Sequence, residues 1–173
     1  MAGTLEIIEV TAPHDLDAVR SLCRAFRAGQ LERYADQADL VNSYYDAEEF
    51  EDTLARLADI HAPPRGVILL ARAGGEAAGC VMYAPDGAKV CQMKRMFVAP
   101  AHRRAGVART LVTALIGAAQ RSGYTRMRLD TGPRQTEAVA LYRQLGFEPC
   151  APYDEDGPKW PDKVYMAMPL GER

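Results

Sequence analysis

A short segment near the middle of the chain carries the residue types that bind phosphate groups. Three arginines and three small residues share seven consecutive positions: Arg103, Arg104, Ala105, Gly106, Ala108 and Arg109. Small residues let a ligand approach the backbone closely, and the arginines add positive charge. The apolar residues that follow predict a helix from Gly106 to Gln120, whose first turn would present unpaired N–H groups to an anion. We therefore expect a cradle for a pyrophosphate here.

Two other interpretations of this basic segment stay open: a solvated surface, or a patch for nucleic acid. The small residues and the attached apolar helix favour the cradle, because nucleic-acid recognition usually needs more basic surface than this. The whole chain has 21 Lys and Arg against 23 Asp and Glu, a formal charge of −2. That balance gives no general affinity for polyanions, and we expect no nucleic-acid partner.

The elements that must position this segment are predicted from hydrophobic periodicity. Strands are predicted at residues 5–11, 67–71, 77–83, 90–98, 126–131, 147–150 and 163–170, and helices from Pro13, from Asp46, at 106–120 and at 137–145. Residues 28–45 show no clear period. Asp46 with Glu49 is typical of a capping box at a helix start. We expect one α/β domain over residues 1–173, with helices on both faces of a mixed sheet.

The cysteines and histidines have no spacing typical of a metal centre or a disulfide framework. Three of the four cysteines lie in apolar runs, and no CxxC pair occurs among Cys23, Cys80, Cys91 and Cys150. We expect reduced thiols in a cytoplasmic protein, with no bound metal. No signal peptide and no stretch of transmembrane length is visible, so we expect no membrane partner.

Three motifs together resemble those of the GNAT superfamily of N-acetyltransferases. Arg103-x-x-Gly106-x-Ala108 is similar to its acyl-CoA signature, which begins with Gln or Arg and ends with Gly or Ala. Residues 94–100 resemble its central strand and loop, and residues 138–147 resemble its helix with a Leu-Tyr pair and a closing Gly-Phe. The resemblance covers residues 67–170. It implies a mixed, mostly antiparallel sheet whose central strand pair splays apart.

The resemblance also implies acetyl-CoA as co-substrate and assigns roles to single residues. The amide of Met96 would polarise the thioester carbonyl, a contribution of roughly 3–4 kcal/mol in comparable sites, and Tyr142 would protonate the CoA thiolate as general acid. For Tyr142, simple packing against Ala138 is the alternative. The implied cofactor-binding residues are Met96, Phe97, Val98, Arg103, Arg104, Ala105, Gly106, Val107, Ala108, Arg109, Gln135 and Tyr142.

The chain departs from the superfamily pattern at two positions. Gln135 stands where relatives often have an Asn that contacts the cofactor. Gln92 stands where many relatives have a Glu that serves as general base, and an amide takes up no proton usefully. Either another side chain or a water chain then removes the proton of the amine, or the amine arrives already neutral. The candidate side chains are Asp130, Asp154, Tyr44 and Tyr45.

Aromatic and acidic residues are the candidates for the acceptor pocket, which the resemblance places between the first helical loop and the last two strands. Aromatic rings there would contact a substrate, and a carboxylate would attract an ammonium. The predicted substrate-binding residues are Tyr44, Tyr45, Gln92, Asp130, Tyr153 and Asp154, with Trp160 and Asp156 as further candidates. Ordinary loop packing stays an alternative for each.

The predicted function is direct transfer of acetyl from acetyl-CoA to a primary amine in a ternary complex. The expected acceptor is a small amine or an amino-acid-like metabolite, because the Tyr44–Tyr45 segment could cover the site. Two alternatives stay open: acetylation of protein lysines or N-termini, and an acyl-CoA-binding module without catalysis, which Gln92 favours. Edge pairing of the last strands would allow a homodimer.

Overall fold

The computed structural model describes residues 3–154 and 159–171 of the chain. The strands are β1 Leu5–Glu9, β2 Val67–Ala73, β3 Glu76–Pro85, β4 Val90–Val98, β5 Arg126–Thr131, β6 Glu148–Pro149 and β7 Val164–Pro169. The helices are α1 Pro13–Arg33, α2 Ala38–Tyr44, α3 Ala47–Ala55, α4 Leu57–Ile60, α5 Val107–Arg121 and α6 Thr136–Gln144, with short 3₁₀ turns at Ala35–Gln37 and Pro100–His102.

These strands form one seven-stranded sheet in the order β1-β2-β3-β4-β5-β7-β6. Every neighbouring pair is antiparallel except β4 and β5, which are parallel. The predicted mixed, mostly antiparallel sheet is therefore confirmed. Its parallel pair lies at the centre, and β4 of this pair contains most of the segment 94–100 that the sequence analysis singled out.

Helices cover both faces of the sheet, as predicted. Alternate residues of β2 point to opposite faces, so Val67, Leu69 and Ala71 pack in the layer that contains α5. Ile68 and Leu70 pack in the layer that contains α1 and α3. This two-sided burial explains why β2 is a continuous apolar run instead of an alternating one.

The central strands β4 and β5 separate after a short contact. Their pairing has three register pairs, which end at Gln92 and Arg128. Beyond that point β4 continues to Val98 and β5 to Thr131 without bonding to each other. The predicted splay is confirmed, and it leaves a gap in the middle of the sheet.

A β-bulge distorts β4 beside this gap. Cys80 pairs with Phe97, whereas Met82 pairs with Lys94, so β4 carries one residue more than β3 over this stretch. The extra residue accompanies a left-handed backbone at Arg95, with φ 55°. Bulges of this kind bend a strand and redirect its side chains, and a positive φ is uncommon outside glycine.

Residues 28–45, for which the sequence predicts no regular structure, are largely helical. Helix α1 continues to Arg33 and α2 follows at Ala38–Tyr44. The residues buried at the end of α1 are polar or aromatic, Gln30 and Tyr34, so a hydrophobic period is absent although one face is covered.

The helix predicted from Asp46 does begin there. The Asp46 carboxylate accepts the N–H groups of Glu48 and Glu49 at 3.0 and 3.1 Å, as an N-cap does. Leu57 lies outside this helix, because α3 ends at Ala55 and the short α4 follows.

All four cysteines are free, and Cys23, Cys80 and Cys91 are buried. Within residues 3–154 and 159–171, no group of three or more His, Cys, Asp or Glu side chains converges as metal ligands do. No helix of the described part of the chain has the length and apolarity needed to cross a bilayer.

Truncation of α5 in the core tests this architecture. Leu115 is fully buried in the α5 layer, so Leu115→Ala should lower the free energy of unfolding by roughly 2–5 kcal/mol. The exposed Thr113 on the same helix provides the control, since Thr113→Ala should change it by no more than about 0.5 kcal/mol. Chemical denaturation measures both, and equal losses would contradict the assigned packing.

Candidate active site

A cleft of about 1770 Å³ lies where β4 and β5 separate. Sites for one small ligand usually measure about 300–1000 Å³, so this cleft has room for two reactants side by side. Among the described residues, Ala105 is the one predicted site residue that does not line it. The predicted residues that line it are Tyr44, Tyr45, Gln92, Met96, Phe97, Val98, Arg103, Arg104, Gly106, Val107, Ala108, Arg109, Asp130, Gln135, Tyr142, Tyr153, Asp154 and Trp160.

The loop before α5 forms an open cradle of backbone amides. Arg104 and Gly106 both have left-handed backbones, with φ 64° and 77°, and α5 starts at Val107. The first bond into the helix runs from the Thr110 N–H to the Gly106 carbonyl at 3.0 Å. The N–H groups of the preceding turn therefore have no intrahelical acceptor, and among the described residues no side chain caps this end.

Arg103 fixes the edge of the cleft between this cradle and β4. Its Nε donates to the Val98 carbonyl at 3.1 Å, and its guanidinium lies 5.8 Å from the centroid of the Phe97 ring. The Ala99 N–H donates to the Ala78 carbonyl on the β3 side. Because successive strand residues point their amides in opposite directions, the Val98 N–H faces the gap.

Tyr142 lies on α6 and is 5% exposed, and it lines the cleft. Its ring packs edge-on against Phe147, with centroids 5.8 Å apart. Burial raises the pKa of the Tyr142 phenol well above its usual range. The side chain thus both packs in the core and presents a protonated hydroxyl at neutral pH, the state that a general acid requires.

A polar network built on Asp130 lies in the part of the cleft that the sequence analysis predicts to bind the acceptor, which is called the acceptor end below. Its Oδ2 accepts from the Gln92 Nε2 at 2.9 Å and from the Tyr153 hydroxyl at 2.8 Å. Its Oδ1 lies 3.1 Å from the Lys163 ammonium. The structure therefore brings together three predicted residues from β4, β5 and the loop after β6.

Lys163 is the site residue that the sequence did not reveal. Its side chain is 6% exposed and also lies 3.2 Å from Asp154 and from the Tyr44 hydroxyl. Burial alone would lower its pKa, but the Asp130 carboxylate and the Tyr44 oxygen outweigh burial and raise it. In the sequence, Lys163 is only a charged residue before a strand, and its partners are distant in the chain.

An aromatic wall closes the acceptor end. Tyr44 and Trp160 have ring centroids 5.3 Å apart, and those of Tyr44 and Tyr45 lie 4.7 Å apart. Burial raises the pKa of both tyrosines, which disfavours the phenolate and makes them poor proton acceptors. Asp156, the second acidic candidate of this loop, lies outside the described residues.

A hydrogen-bonded bridge joins the end of α1 to the loop before α6, on the cofactor side. The Tyr34 hydroxyl accepts the Arg134 N–H at 3.0 Å and donates to Gln135 Oε1 at 2.7 Å. Gln135 Nε2 donates to Gln30 at 2.7 Å. The side-chain amide of Gln135 is thus engaged with α1, and its predicted contact with the cofactor stays a prediction.

Comparison with known proteins agrees with this geometry. The Acetyltransferase (GNAT) family model matches residues 31–147. The chain is 31% identical over 172 residues, 98% of either sequence, to an uncharacterized N-acetyltransferase of Schizosaccharomyces pombe.

Solved structures share the fold. The PaiA N-acetyltransferase from Thermoplasma acidophilum, in complex with coenzyme A, has a TM-score of 0.70 at 16% identity, covering 96% of this chain and 99% of that one. The ribosomal-protein-S18-alanine N-acetyltransferase from Escherichia coli has a TM-score of 0.68 at 19% identity, covering 98% and 96%. With a family model that spans most of its length and a relative matched end to end, the chain belongs to the GNAT family of acetyltransferases.

Proposed function

We propose that the protein transfers acetyl from acetyl-CoA to the primary amine of a small molecule, by direct attack within the cleft. One observation carries the proposal: the gap between β4 and β5 joins the open amides of α5, Tyr142 and the Asp130 network in a single cavity. Holding both reactants in one place is worth roughly 7–11 kcal/mol of barrier. Release of free thiol from acetyl-CoA in the presence of an amine panel is the direct assay.

The residues around the cradle fit the CoA moiety. Amides in the first turn of α5 would hold the pyrophosphate, with Arg103, Arg104 and Arg109 adding positive charge. The Val98 N–H would bond the pantetheine in the gap. When bound, CoA would supply an activated thioester, and the Met96 amide beside the bulge would stabilise the negative charge that develops on its carbonyl oxygen.

Tyr142 would donate its proton to the departing sulfur. The buried phenol stays protonated at neutral pH, and Tyr142 lines the same cleft as Met96. An acyl-enzyme on Cys91 is disfavoured, because burial raises the pKa of that thiol to about 12. A thiol that keeps its proton is a poor nucleophile, so attack by the amine itself is the simpler route.

Asp130 would accept the proton that the amine loses. Gln92 stands where relatives have Glu, and its amide donates to the Asp130 carboxylate at 2.9 Å. The neighbouring strand thus supplies a carboxylate next to the position that lacks one. This arrangement favours catalysis over a role in CoA binding alone.

A small acceptor is favoured by the aromatic wall. Trp160 and Tyr34 are buried at 3% and 1% exposure, and Tyr44 and Tyr45 pack beside them. These rings narrow the acceptor end, whereas a protein substrate needs an open groove for its flanking residues. The similarity to an enzyme that acts on ribosomal protein S18 is one of fold and carries no weight for the acceptor.

The cradle predicts a specific effect of Gly106→Ala. Both Gly106 and Gly123 have left-handed backbones, φ 77° and 83°, and an added Cβ meets no atom within 4 Å at either. Each Ala substitution therefore carries similar backbone strain, about 1 kcal/mol, but Gly123 lies away from the cleft. Calorimetry should show CoA affinity reduced about tenfold or more in Gly106→Ala and nearly unchanged in Gly123→Ala. Equal affinities would remove the cradle from the CoA site.

Removal of the phenol at position 142 should slow the chemistry. Tyr142→Phe is expected to lower kcat by roughly 10²-fold while CoA binding changes little, since a positioned general acid contributes about 10²–10⁴-fold. Tyr124→Phe is the matched control, because that buried hydroxyl donates to the Arg65 carbonyl and does not line the cleft. A variant with normal kcat would exclude Tyr142 as the acid.

The role of Asp130 is separable from its ion pair with Lys163. Asp130→Asn should lower kcat by roughly 10²-fold, whereas Asp154→Asn, which also loses a contact with Lys163, should have a much smaller effect. Gln92→Glu in the Asp130→Asn background should restore part of the activity by returning a carboxylate to the cleft. Equal losses in the two Asn variants, without rescue, would assign Asp130 to structure.

A further inference from the structure

We propose that Lys94 and Arg95 bind a carboxylate of the acceptor, so that the preferred substrate is an amino acid with a free carboxylate close to its reacting amine. This inference rests on the proposed acetyl transfer and narrows its acceptor class.

The cations of the sheet at the acceptor end fall into two groups: those that pair with a carboxylate and those that do not. Lys163 lies against Asp130 and Asp154 at 3.1 and 3.2 Å, and Arg128 pairs with Asp86. Lys94 and Arg95 also line the cleft, yet within residues 3–154 and 159–171 no carboxylate lies within 4 Å of either. The carboxylates that face them are already committed to other cations.

The bulge turns both of these cations toward the same side. In β4, Cys91 and Met93 pack in the α5 layer, so Gln92 and Lys94 face the opposite layer. Regular alternation would return the next side chain, that of Arg95, to the α5 side. The bulge instead directs Arg95 to the side of α1 and α3.

Arg95 is held rigidly in this position. Its guanidinium lies over the rings of Phe26, Tyr45 and Phe50, at 5.8, 5.5 and 4.6 Å from their centroids. Its backbone has φ 55°, a conformation that costs a non-glycine residue energy and persists where the surroundings impose it. Aromatic rings leave the N–H donors of a guanidinium without an acceptor, and among the described residues no carboxylate lies within 4 Å of those of Arg95, so they are available to an anion.

Like Arg95, Lys94 has no carboxylate of the described residues within 4 Å. Its surface is exposed, but into the cleft. Partial desolvation of the side chain inside the cleft lowers the pKa of Lys94; the Asp130 carboxylate opposes this shift and the Arg95 charge adds to it. An anion bound between Lys94 and Arg95 would relieve the repulsion between them.

The position in the strand sets the size of the acceptor. Lys94 and Arg95 directly precede Met96, whose amide is assigned to the thioester carbonyl. At about 3.3 Å per residue, their backbones lie within about 7 Å of the Met96 backbone along the strand. We therefore expect the anion and the reacting amine to belong to one small acceptor, of which an α-amino acid is the shortest.

Matched acceptors test the inference directly. We would measure kcat/KM by thiol release for phenylalanine, phenylalaninamide and phenethylamine, with the corresponding sets for leucine and methionine. The free amino acid should be preferred over its amide by about tenfold or more, the usual effect of a charge-assisted contact. Lys94→Gln should bring this ratio close to one by raising KM for the amino acid alone, and Lys94→Arg should restore it.

Controls separate this inference from the proposed activity. Lys89→Gln removes the same charge from an exposed residue outside the cleft and should leave the ratio unchanged. Arg95→Gln, checked for folding by circular dichroism, should act like Lys94→Gln. If none of these acceptors is acetylated, calorimetry would instead compare the affinities of the same amino acids and amides for the CoA-loaded protein.

The outcomes are distinct. Acetylation of the amides or simple amines as efficiently as the amino acids would overturn the carboxylate site and leave the acetyltransferase intact. So would a preference that Lys94→Gln does not change. Failure to bind CoA would overturn the proposed function itself, and amino acids that bind the CoA-loaded protein no more tightly than their amides would overturn the inference without any turnover.

Discussion

The short contact between β4 and β5 is the constraint on which the rest of the structure depends. After three register pairs the strands part, and the backbone groups of β4 beyond Gln92 face a gap instead of a neighbour. Unpaired backbone donors are costly unless a ligand or water satisfies them. Under the proposed function, an extended ligand running along β4 would meet donors spaced like those of a missing strand. The open turn of α5 and the phenol of Tyr142 both border this gap, and only the gap connects them in one cavity.

The splay persists because each central strand keeps one complete partner. β4 is bonded to β3 along its length apart from the bulge, and β5 is bonded to β7 over six residue pairs. The gap thus removes pairing from only one side of either strand. The bridge of Tyr34, Gln135 and Gln30 adds a second link, which ties α1 to the loop after β5 without crossing the sheet. Gly132 lies so close to the Tyr34 hydroxyl that an added Cβ would sit 2.3 Å from it. The side chain of Gln135 is one methylene longer than that of Asn, and this length lets it reach Tyr34 and Gln30.

The sequence predicted those parts of the molecule that are encoded locally. The turn with open amides before α5 lies within seven consecutive positions, and the strands along the chain follow from local apolar periods, so the location of both could be predicted from the sequence. The sequence did not show how far α1 extends, because the buried residues at its end, Gln30 and the C-cap Tyr34, form polar contacts with a loop about 100 positions away. Lys163 was hidden for the same reason, since its hydroxyl partner Tyr44 lies 119 positions earlier. Side-chain networks between distant segments leave no period and no motif in a single sequence.

Replacement of Glu by Gln at position 92 looks like a loss of function when the strand is considered alone. In the folded chain Gln92 and Arg128 mark the last register pair before the splay, so Asp130, two residues further on β5, points to the same face of the sheet as Gln92. The Gln92 amide can hold this carboxylate by donating to it, which a Glu would oppose by charge repulsion. The Lys163 ammonium, 3.1 Å from the other oxygen of this carboxylate, balances the negative charge of Asp130. In the proposed mechanism, the Asp130 carboxylate on β5 would take the role of the Glu that many relatives carry at the position of Gln92, and the Gln92 amide would hold that carboxylate in place.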